Sequence, residues 1–492
     1  MSPSERHHAP IGASLDSPRA MQSDSLRVAE SATTNPEFNK TNETFSRGYR
    51  AWLLFVLMLV NLLNLADRQG LAAVVPALKV DLRLTDTQLG LILGLGFAIF
   101  YTLLGLPIAR LAEHHNRARI VALSSAVFSA FVCLCSTSRS FAQILLYRVG
   151  VGAGDAGFGP PVASLLGDHY PERRRAAAMT IIWLGAPLGA LSGSVIGGRM
   201  AQHGDWRLWF VALSVPALVV SLLAFFTLRE PSRGLQDAVA PKGPPPSMRQ
   251  VVRFILAKRS MVHVLIGAGL ASIALNGIGQ FWGRYYTSVF HLSLADSGRL
   301  IGTIAVVAMA SGIALGGFGV SALSGHDRRW YVWAPAIALT LSTPLLLLGV
   351  TRVSIHEAIW LILFGHIALF VYYTPTLALA QNMVDASMRA SASFLINVVF
   401  GLVGVGLGPT LIGVLSDAMA HRAFGFGSFE ALCPGGKAVP GADALIANAC
   451  AAASATGILR AIGVFSLFFL WAAVHFLLAG RRLERDLDQA YA

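Results

Sequence analysis

The sequence predicts an all-α polytopic membrane protein, with twelve transmembrane helices arranged as two six-helix halves. Of its 492 residues, 54% are hydrophobic and only 13% are charged, whereas soluble domains carry about 25% charged residues. Glycine contributes 48 residues, and glycine within apolar sequence is typical of helices that pack closely in lipid. The composition therefore argues against a set of soluble domains, which the length alone would suggest.

Twelve apolar stretches are long enough to cross a membrane. A hydrocarbon core about 30 Å thick requires about 20 residues at a rise of 1.5 Å per residue. The stretches do not alternate with a period of two, which argues against a β-barrel. The predicted spans are 51–78, 86–112, 118–138, 141–169, 175–201, 206–228, 260–289, 295–323, 331–350, 354–384, 390–420 and 456–480.

Polar segments flank these spans and divide them six and six. Residues 1–50 are rich in Ser, Asn, Thr and Glu, which predicts a disordered tail and no cleaved signal peptide. Residues 229–259 form a linker that ends in an amphipathic basic stretch along the membrane surface. The predicted halves are 51–228 and 260–480, with a long outer loop at 421–455 and a cytoplasmic tail at 481–492.

The basic residues predict the orientation of the protein. Most of the 38 Lys and Arg residues fall in the tails and in loops on one side, and cytoplasmic loops are the ones enriched in these residues. Both termini are therefore predicted to be cytoplasmic, in a bacterial inner membrane. The net charge of +12 is dispersed over these loops, so it does not predict binding to nucleic acid.

The first span carries ionisable residues at membrane depth. Such residues cost several kcal/mol and persist where they face a cavity or a partner. Asn64, Asp67 and Arg68 share one helical face, which predicts a polar lining. A structural ion pair between Asp67 and Arg68 is the alternative.

The fourth span carries a second acid and base. Arg148 and Asp155 are seven residues apart, two turns along one face, and Gly152 and Gly154 between them allow another helix to approach. Asp67 and Asp155 are the predicted proton carriers. The alternative is that Asp155 is a buried acid with permanent partners.

The remaining candidate residues are less charged. Asn276, Gln280 and Arg284 recur every four residues, which predicts a polar stripe on the seventh span. Gly185, Pro187 and Gly189 in the fifth span predict either a hinge or close packing. The predicted substrate cavity comprises Asn64, Tyr101, Trp183, Asn276, Gln280, Trp282, Arg284, Tyr285, Gln381 and Asn397.

Metal and covalent chemistry have few candidates. The sequence has no zinc-ligand spacing, phosphate-binding loop or nucleophile triad, so neither a metal, a cofactor nor an enzyme activity is predicted. Cys433 and Cys450 both lie in the outer loop, which faces an oxidising compartment in the predicted orientation. A disulfide between them and two free thiols remain equal alternatives.

Twelve spans split six and six around a basic central loop resemble the major facilitator superfamily. Ala109, Glu113, His114, Asn116 and Arg117 resemble a worn form of the motif that this family carries between spans two and three. The segment from Gly185 to Gly193 is similar to the family's fifth-span motif. The residues assigned to gating are Glu113, Arg117, Asp168, Arg173, Gly185, Pro187 and Gly189.

Longer motifs resemble the Spinster-like branch of that family. They are Asn64-Leu-Ala-Asp67-Arg68, Asp168-His-Tyr-Pro-Glu172-Arg173 and the stretch from Gln381 through Asn397 to Asp417. The branch usually has Glu at the position of Asp155. The resemblance implies roles in proton coupling for Asp67, Arg68 and Asp155, to which the spacing adds Arg148.

The predicted function is secondary transport by alternating access, coupled to protons and acting on a small molecule or a lipid. The resemblance implies export of lysophospholipid or sphingolipid-like amphiphiles. Small organic anions, sugar acids or drugs are the alternative substrates, and a non-transporting receptor is an alternative of another class. The predicted partners are the substrate, protons and membrane lipids, and the protein is predicted to be a monomer.

Overall fold

Every regular element in the described residues is helical, as the sequence predicts. The computed structural model describes residues 45–170, 172–203, 205–232, 248–384 and 388–491. Most of the predicted N-terminal tail and the centre of the linker lie outside the described residues. The described residues before and after that linker are termed the first half and the second half, and Gly48–Ala492 form one compact unit.

Nine helices make up the described part of the first half. They are α1 (Arg47–Asp81), α2 (Asp86–Leu93), α3 (Leu95–His114), α4 (Arg117–Cys135), α5 (Phe141–Asp155), α6 (Gly159–His169), α7 (Glu172–Trp183), α8 (Gly185–His203) and α9 (Trp206–Thr227).

The described part of the second half contains twelve α-helices and two π-helical stretches. The helices are α10 (Met248–Ala257), α11 (Arg259–Val289), α12 (Leu294–Ala314), α13 (Val320–Ser324), α14 (Trp330–Thr351), α15 (Ile355–Phe370), α16 (Tyr373–Asn382), α17 (Arg389–Val398), α18 (Gly408–Ala423), α19 (Phe429–Leu432), α20 (Ala444–Gly480) and α21 (Leu483–Tyr491). The π-helical stretches are Leu315–Gly319 and Val399–Leu407.

Eleven helical segments within the described residues are long and apolar enough to cross a membrane, and they correspond to eleven of the predicted spans. The stretch 141–169, predicted as one span, instead forms the shorter helices α5 and α6. Pro160 and Pro161 at the start of α6 explain the break. Proline has no backbone N–H and is tolerated in the first turn of a helix but not in its interior.

The segments at the two ends of the second half pack on its helices. In α10, Val251 and Ile255 are buried whereas Arg249 and Arg253 are exposed, as an amphipathic stretch requires. The predicted C-terminal tail forms α21, in which Asp486 is buried and accepts hydrogen bonds from Ser260.

Glycine positions join the two halves at one end of the bundle. A Cβ atom on Gly298 in α12 would lie 2.2 Å from the Ser194 carbonyl oxygen in α8, and a Cβ on Gly90 in α2 would lie 2.2 Å from the Pro409 carbonyl oxygen in α18. Only glycine permits such an approach between backbones. The end that carries these contacts is termed the Asp86 end, and the opposite end is termed the Arg117 end.

Candidate functional site

Two ion pairs cross between α1 and α5. Arg148 Nη1 in α5 donates to Asp67 Oδ2 in α1 at 2.6 Å, and Arg68 in α1 donates to Asp155 in α5. Each arginine therefore binds the acid of the other helix. The sequence left open an ion pair between Asp67 and Arg68 within α1. These two side chains do not pair with each other.

The two pairs differ in their access to solvent. The side chains of Asp67 and Arg148 are 0% and 1% exposed, whereas those of Asp155 and Arg68 are 6% and 23% exposed. The Asp155–Arg68 pair is consequently the part of the cluster that a small molecule or a proton reaches first.

The carboxylates also differ in their hydrogen bonds. Asn64 Nδ2 donates to Asp155 Oδ1 at 2.5 Å, so both oxygens of Asp155 have a donor. Asp67 Oδ1 is buried and has no hydrogen-bond partner within the described residues. The predicted polar face of Asn64, Asp67 and Arg68 is therefore used to bind α5.

Aromatic rings of α3 lie beneath the two arginines. The Cζ atom of Arg68 is 4.3 Å from the ring centroid of Phe97 and 5.6 Å from that of Tyr101. The Cζ atom of Arg148 is 5.6 Å from the Phe97 centroid. Tyr101 was a predicted cavity residue, and Phe97 was missed although its spacing of four from Tyr101 places both on one helical face.

The uncharged cavity candidates occupy different environments. Asn276 is half-buried and its Nδ2 donates to the Ser272 carbonyl at 2.9 Å, Gln280 is half-buried, and Asn397 is exposed. Trp183 is 55% exposed beside exposed Leu184, which is typical of a lipid-facing surface. The side chain of Gln381 lies outside the described residues.

Trp282 and Tyr285 were predicted in the cavity, but they form part of an aromatic core in the second half. Trp282 Nε1 donates to His366 Nε2 at 3.1 Å, and the Tyr285 hydroxyl donates to the Val350 carbonyl at 3.3 Å. Both side chains are buried. Their polar atoms have internal partners, so these rings pack inside the second half, and their place in a substrate cavity stays a prediction.

Arg284 was also predicted in the cavity, but it lies in an ion network at the Asp86 end. Its Nε donates to Asp86 Oδ1 at 3.3 Å, and Lys79 pairs with the same carboxylate oxygen. Ser416 donates to Asp86 Oδ2 at 2.7 Å. Because Lys79 and Asp86 belong to the first half and Arg284 and Ser416 to the second, this network holds the halves together.

A second carboxylate strengthens the same junction. Asp417 in α18 accepts hydrogen bonds from the backbone N–H groups of Asp86 and Thr87, at 2.9 and 2.7 Å, and from the Thr87 hydroxyl at 2.6 Å. An acid at a helix N-terminus satisfies free N–H groups and interacts favourably with the helix dipole. Asp417 of the second half therefore caps α2 of the first half.

The outer loop touches this junction through a turn of two glycines. Gly435 and Gly436 have φ values of 67° and 78°, a region that residues with a side chain rarely adopt. A Cβ on Gly435 would lie 2.9 Å from the Lys79 carbonyl oxygen, and one on Gly436 would lie 3.0 Å from Arg284 Nη2. Cys433, directly before the turn, forms a disulfide with Cys450.

A small cavity of about 70 Å³ lies between this turn and the first half. Its lining includes Lys79 and Arg83 from the first half and Asp417, His421 and Glu430 from the second. The junction at the Asp86 end is therefore incompletely packed.

Arg117 anchors the opposite end of the first half. Its Nη1 donates to Asp168 Oδ2 at 2.5 Å and to Ser164 Oγ at 2.9 Å, and its Nε donates to Glu230 Oε1 at 2.6 Å. Glu230 Oε2 accepts from the backbone N–H groups of Arg117 and Ala118. This arrangement joins α4, α6 and the end of α9; the side chains of Glu113 and Arg173 lie outside the described residues.

Gly185 and Gly189 pack against α1. Their Cβ atoms would lie 2.4 Å from the Met58 carbonyl oxygen and 2.1 Å from the Leu62 carbonyl oxygen. Pro187 cannot donate to the carbonyl four residues earlier, and the helix is interrupted between α7 and α8 at that level. The motif therefore packs closely on α1, and its role as a hinge stays a prediction.

Histidines, cysteines and acids in the described residues form no group of three that could hold a metal ion. The two histidines His263 and His475 do meet, with their Nδ1 atoms 3.1 Å apart. A pair alone provides fewer ligands than a structural zinc site uses.

Comparisons with known proteins identify the family of the chain. The profile of the Major Facilitator Superfamily matches residues 57–409. An MFS-type efflux pump of Mycolicibacterium smegmatis is 28% identical over 379 residues, 75% of this chain and 85% of the pump. Protein spinster homolog 1 of Homo sapiens is 25% identical over 400 residues, 77% and 75% of the two chains. A hexuronate transporter of Bacillus subtilis is 24% identical, over 76% and 89%.

Solved structures extend the comparison to the fold. A bacterial homolog of the human lysosomal transporter Spinster, in an inward-facing and unoccupied conformation, superposes with a TM-score of 0.82. It is 28% identical, and the match covers 90% of this chain and 99% of that one. The nucleoside transporter NupG, at 11% identity and a TM-score of 0.64, shares the fold.

Proposed function

Since the chain belongs to the major facilitator superfamily and to its Spinster-like branch, we propose that it is a proton-coupled secondary transporter that works by alternating access. The crossed pairs Arg148–Asp67 and Arg68–Asp155 are the observation that carries the coupling. Buried acids and bases in transporters are typical of proton relays.

Asp155 is the proposed entry point of the proton. Its pair with Arg68 is the more exposed of the two, so a proton from the cavity reaches it before it reaches Asp67. Protonation removes the charge that holds Arg68. The freed guanidinium is then available to an anionic group of the substrate, and α1 and α5 lose one of their links.

Alternating access requires that one end of the bundle closes while the other opens. The Asp86 network and the glycine contacts supply closure at one end. With the Arg117 end at the cytoplasm, as the basic residues predict, this arrangement corresponds to an inward-facing state. In this proposal the protein is a monomer that lies in a bacterial inner membrane in this orientation.

The proposed substrate is an amphiphile with an anionic head group, in keeping with the predicted lysophospholipid or sphingolipid-like class. Arg68 and the Tyr101 ring offer a cation beside an aromatic surface, and the half-buried Asn276 and Gln280 offer hydrogen bonds. A small organic anion is the second candidate. The exposed part of Arg68 favours any anion, and one relative is named a hexuronate transporter.

The test is flux in proteoliposomes, measured with lysophospholipids and with hexuronates under an imposed pH gradient. We expect Asp155→Asn and Asp67→Asn to abolish the response of flux to the gradient. Asp488→Asn, at a surface acid that is 74% exposed, is the matched control and should behave like the natural chain. Flux that ignores the gradient in the natural chain, or that keeps its response in both variants, contradicts the proposed coupling.

A further inference from the structure

Phe97 contacts both ion pairs of the proposed coupling site at once. Its ring centroid lies 4.3 Å from Arg68 Cζ and 5.6 Å from Arg148 Cζ, and the residue is buried. A guanidinium within about 6 Å of an aromatic face is attracted by the ring quadrupole, most strongly where water is excluded. We propose that Phe97 is a positioning residue, which holds each arginine against the acid of the opposite helix.

The backbone of Phe97 is fixed to α5. A Cβ on Gly152 would lie 2.4 Å from the Phe97 carbonyl oxygen, so only glycine permits this approach. Gly152 lies between Arg148 and Asp155 on α5. The ring is therefore held at a fixed position along α5 relative to Arg148 and Asp155. A side chain on a loosely packed helix would not be fixed in this way.

Phe97 also lies next to a contact between the halves. Its N–H donates to the Gly94 carbonyl at 3.1 Å, and Gly94 separates α2 from α3 with φ −111° and ψ −96°. A Cβ on Gly94 would lie 2.4 Å from the Gly406 carbonyl oxygen in the π-helical stretch Val399–Leu407. The start of the helix that carries the ring is therefore in direct contact with the second half at Gly406.

The charged and titratable groups around Asp155 come from four elements. Asp67 and Arg68 lie on α1, Tyr101 on α3 and Arg148 on α5 itself, and Cys135 at the end of α4 faces Asp67 and Arg148. Arg68 is the cation that contacts Asp155 directly. The position of this guanidinium therefore dominates the charge that Asp155 experiences.

Weakening the quadrupole of the Phe97 ring should change the pH at which the Asp86 end opens. A less firmly held Arg68 samples more rotamers and presents less positive charge to Asp155, so the carboxylate binds a proton at higher pH. The pH midpoint of opening at the Asp86 end should therefore rise by about half a pH unit.

The experiment replaces Phe97 by mono-, di- and trifluorophenylalanine, which weaken the quadrupole and almost preserve the shape of the ring. Spin labels at His203→Cys and Val353→Cys, exposed positions of the two halves at the Asp86 end, report opening by double electron–electron resonance as a function of pH. The exposed thiol of Cys133 is removed in all samples. The control is the same series at Phe128, a buried ring of α4 for which the described residues provide no cation–π contact.

We expect the pH midpoint and the unfolding temperature to change stepwise with fluorination at position 97 and to stay constant at position 128. An unfolding temperature that is unchanged at position 97 would overturn the cation–π contact. A lower unfolding temperature with an unchanged pH midpoint would show that Phe97 contributes to packing alone, and would overturn its positioning role.

The inference rests on the proposed proton coupling, and the natural chain separates the two failures. If its label distances do not respond to pH, the proposed coupling is contradicted and Phe97 loses this role with it. If the natural chain responds but the fluorinated series does not shift, only the inference about Phe97 is contradicted.

Discussion

Arg284 and Asp86 form an ion pair across the two halves, with Arg284 Nε 3.3 Å from Asp86 Oδ1. They are separated by 198 residues in the sequence, and both side chains are buried. In a transporter that alternates between two states, such a pair stabilises the state in which its end is closed, because it cannot persist when the halves separate.

Replacing this arginine should open the Asp86 end. Removal of one partner of a buried hydrogen-bonded charge pair costs about 2–5 kcal/mol, and each 1.4 kcal/mol is about tenfold in an equilibrium constant. We expect Arg284→Gln to shift the ratio of open to closed molecules by more than about tenfold. Label distances between positions 203 and 353 measure this ratio.

Arg352→Gln provides the control for that measurement. Arg352 is a half-exposed arginine whose partner Glu357 lies 3.8 Å away, and exposed pairs contribute little. Equal distance distributions for Arg284→Gln and the natural chain would show that the Asp86 network does not set the closed state.

The disulfide should support the same closed end. Cys433 and Cys450 enclose the Gly435–Gly436 turn, which contacts Lys79 and Arg284. A cross-link over 17 residues is expected to contribute about 3 kcal/mol by constraining the unfolded chain. We expect the double variant Cys433→Ser/Cys450→Ser to unfold at lower denaturant and to open more readily at the Asp86 end.

The two effects of this double variant are measured separately, by denaturant unfolding and by the label distances. The control for the unfolding measurement is Cys133→Ser, which removes an exposed free thiol, and the labelled protein with the disulfide intact is the control for the distances. Loss of stability without a change in opening would restrict the disulfide to a role in folding.

Whether a site residue can be predicted depends on the feature that marks it in the sequence. Asp67, Arg68, Arg148 and Asp155 stand out because a charge in an apolar span is costly, but helical periodicity gives a face and not a partner. The crossed pairing depends on how α1 packs on α5, which the spacing within one helix does not contain.

The contacts that the sequence did not predict have related physical causes. Lys79 and Asp86 stand at the ends of predicted spans, where charged residues are ordinary, so nothing local marks them as buried partners of Arg284. Trp282 was assigned to the cavity because it is aromatic and lies beside polar residues, yet His366, 84 residues away, satisfies its indole N–H. The long apolar runs that predict the helices are local features, and this is why the fold class was accessible.

Arg117 allows gating to be separated from stability. It joins α4 to α6, through Asp168 and Ser164, and to the segment that follows α9, through Glu230. Removal of one partner of a buried ion pair costs about 3–5 kcal/mol, and the part-exposed Glu230 lowers this figure. We expect Arg117→Met to reduce the free energy of unfolding by about 2–3 kcal/mol, as measured by denaturant unfolding in detergent.

The control for this variant is Arg119→Met, an exposed residue two positions further along the same helix. The motif implies that Arg117 also controls the opening of its end of the bundle. In that case the Arg117→Met variant should lose a larger fraction of its flux under a pH gradient than of its folded protein. A stability equal to that of Arg119→Met would contradict the anchoring role.

The close packing of α8 on α1 gives the last prediction, a contrast between two glycines. A Cβ on Gly189 would lie 2.1 Å from the Leu62 carbonyl oxygen, whereas a Cβ on Gly279 in α11 meets no atom within 4 Å. Gly189→Ala must therefore push α8 away from α1, and such overpacking costs about 1–3 kcal/mol. Gly279→Ala should instead stabilise by about 0.5–1 kcal/mol, because alanine restricts the unfolded chain and favours a helix. Opposite shifts of the unfolding temperature are the expected result, and a shift of the same sign and size in both variants would show that the glycine contact does not limit the approach of the two helices.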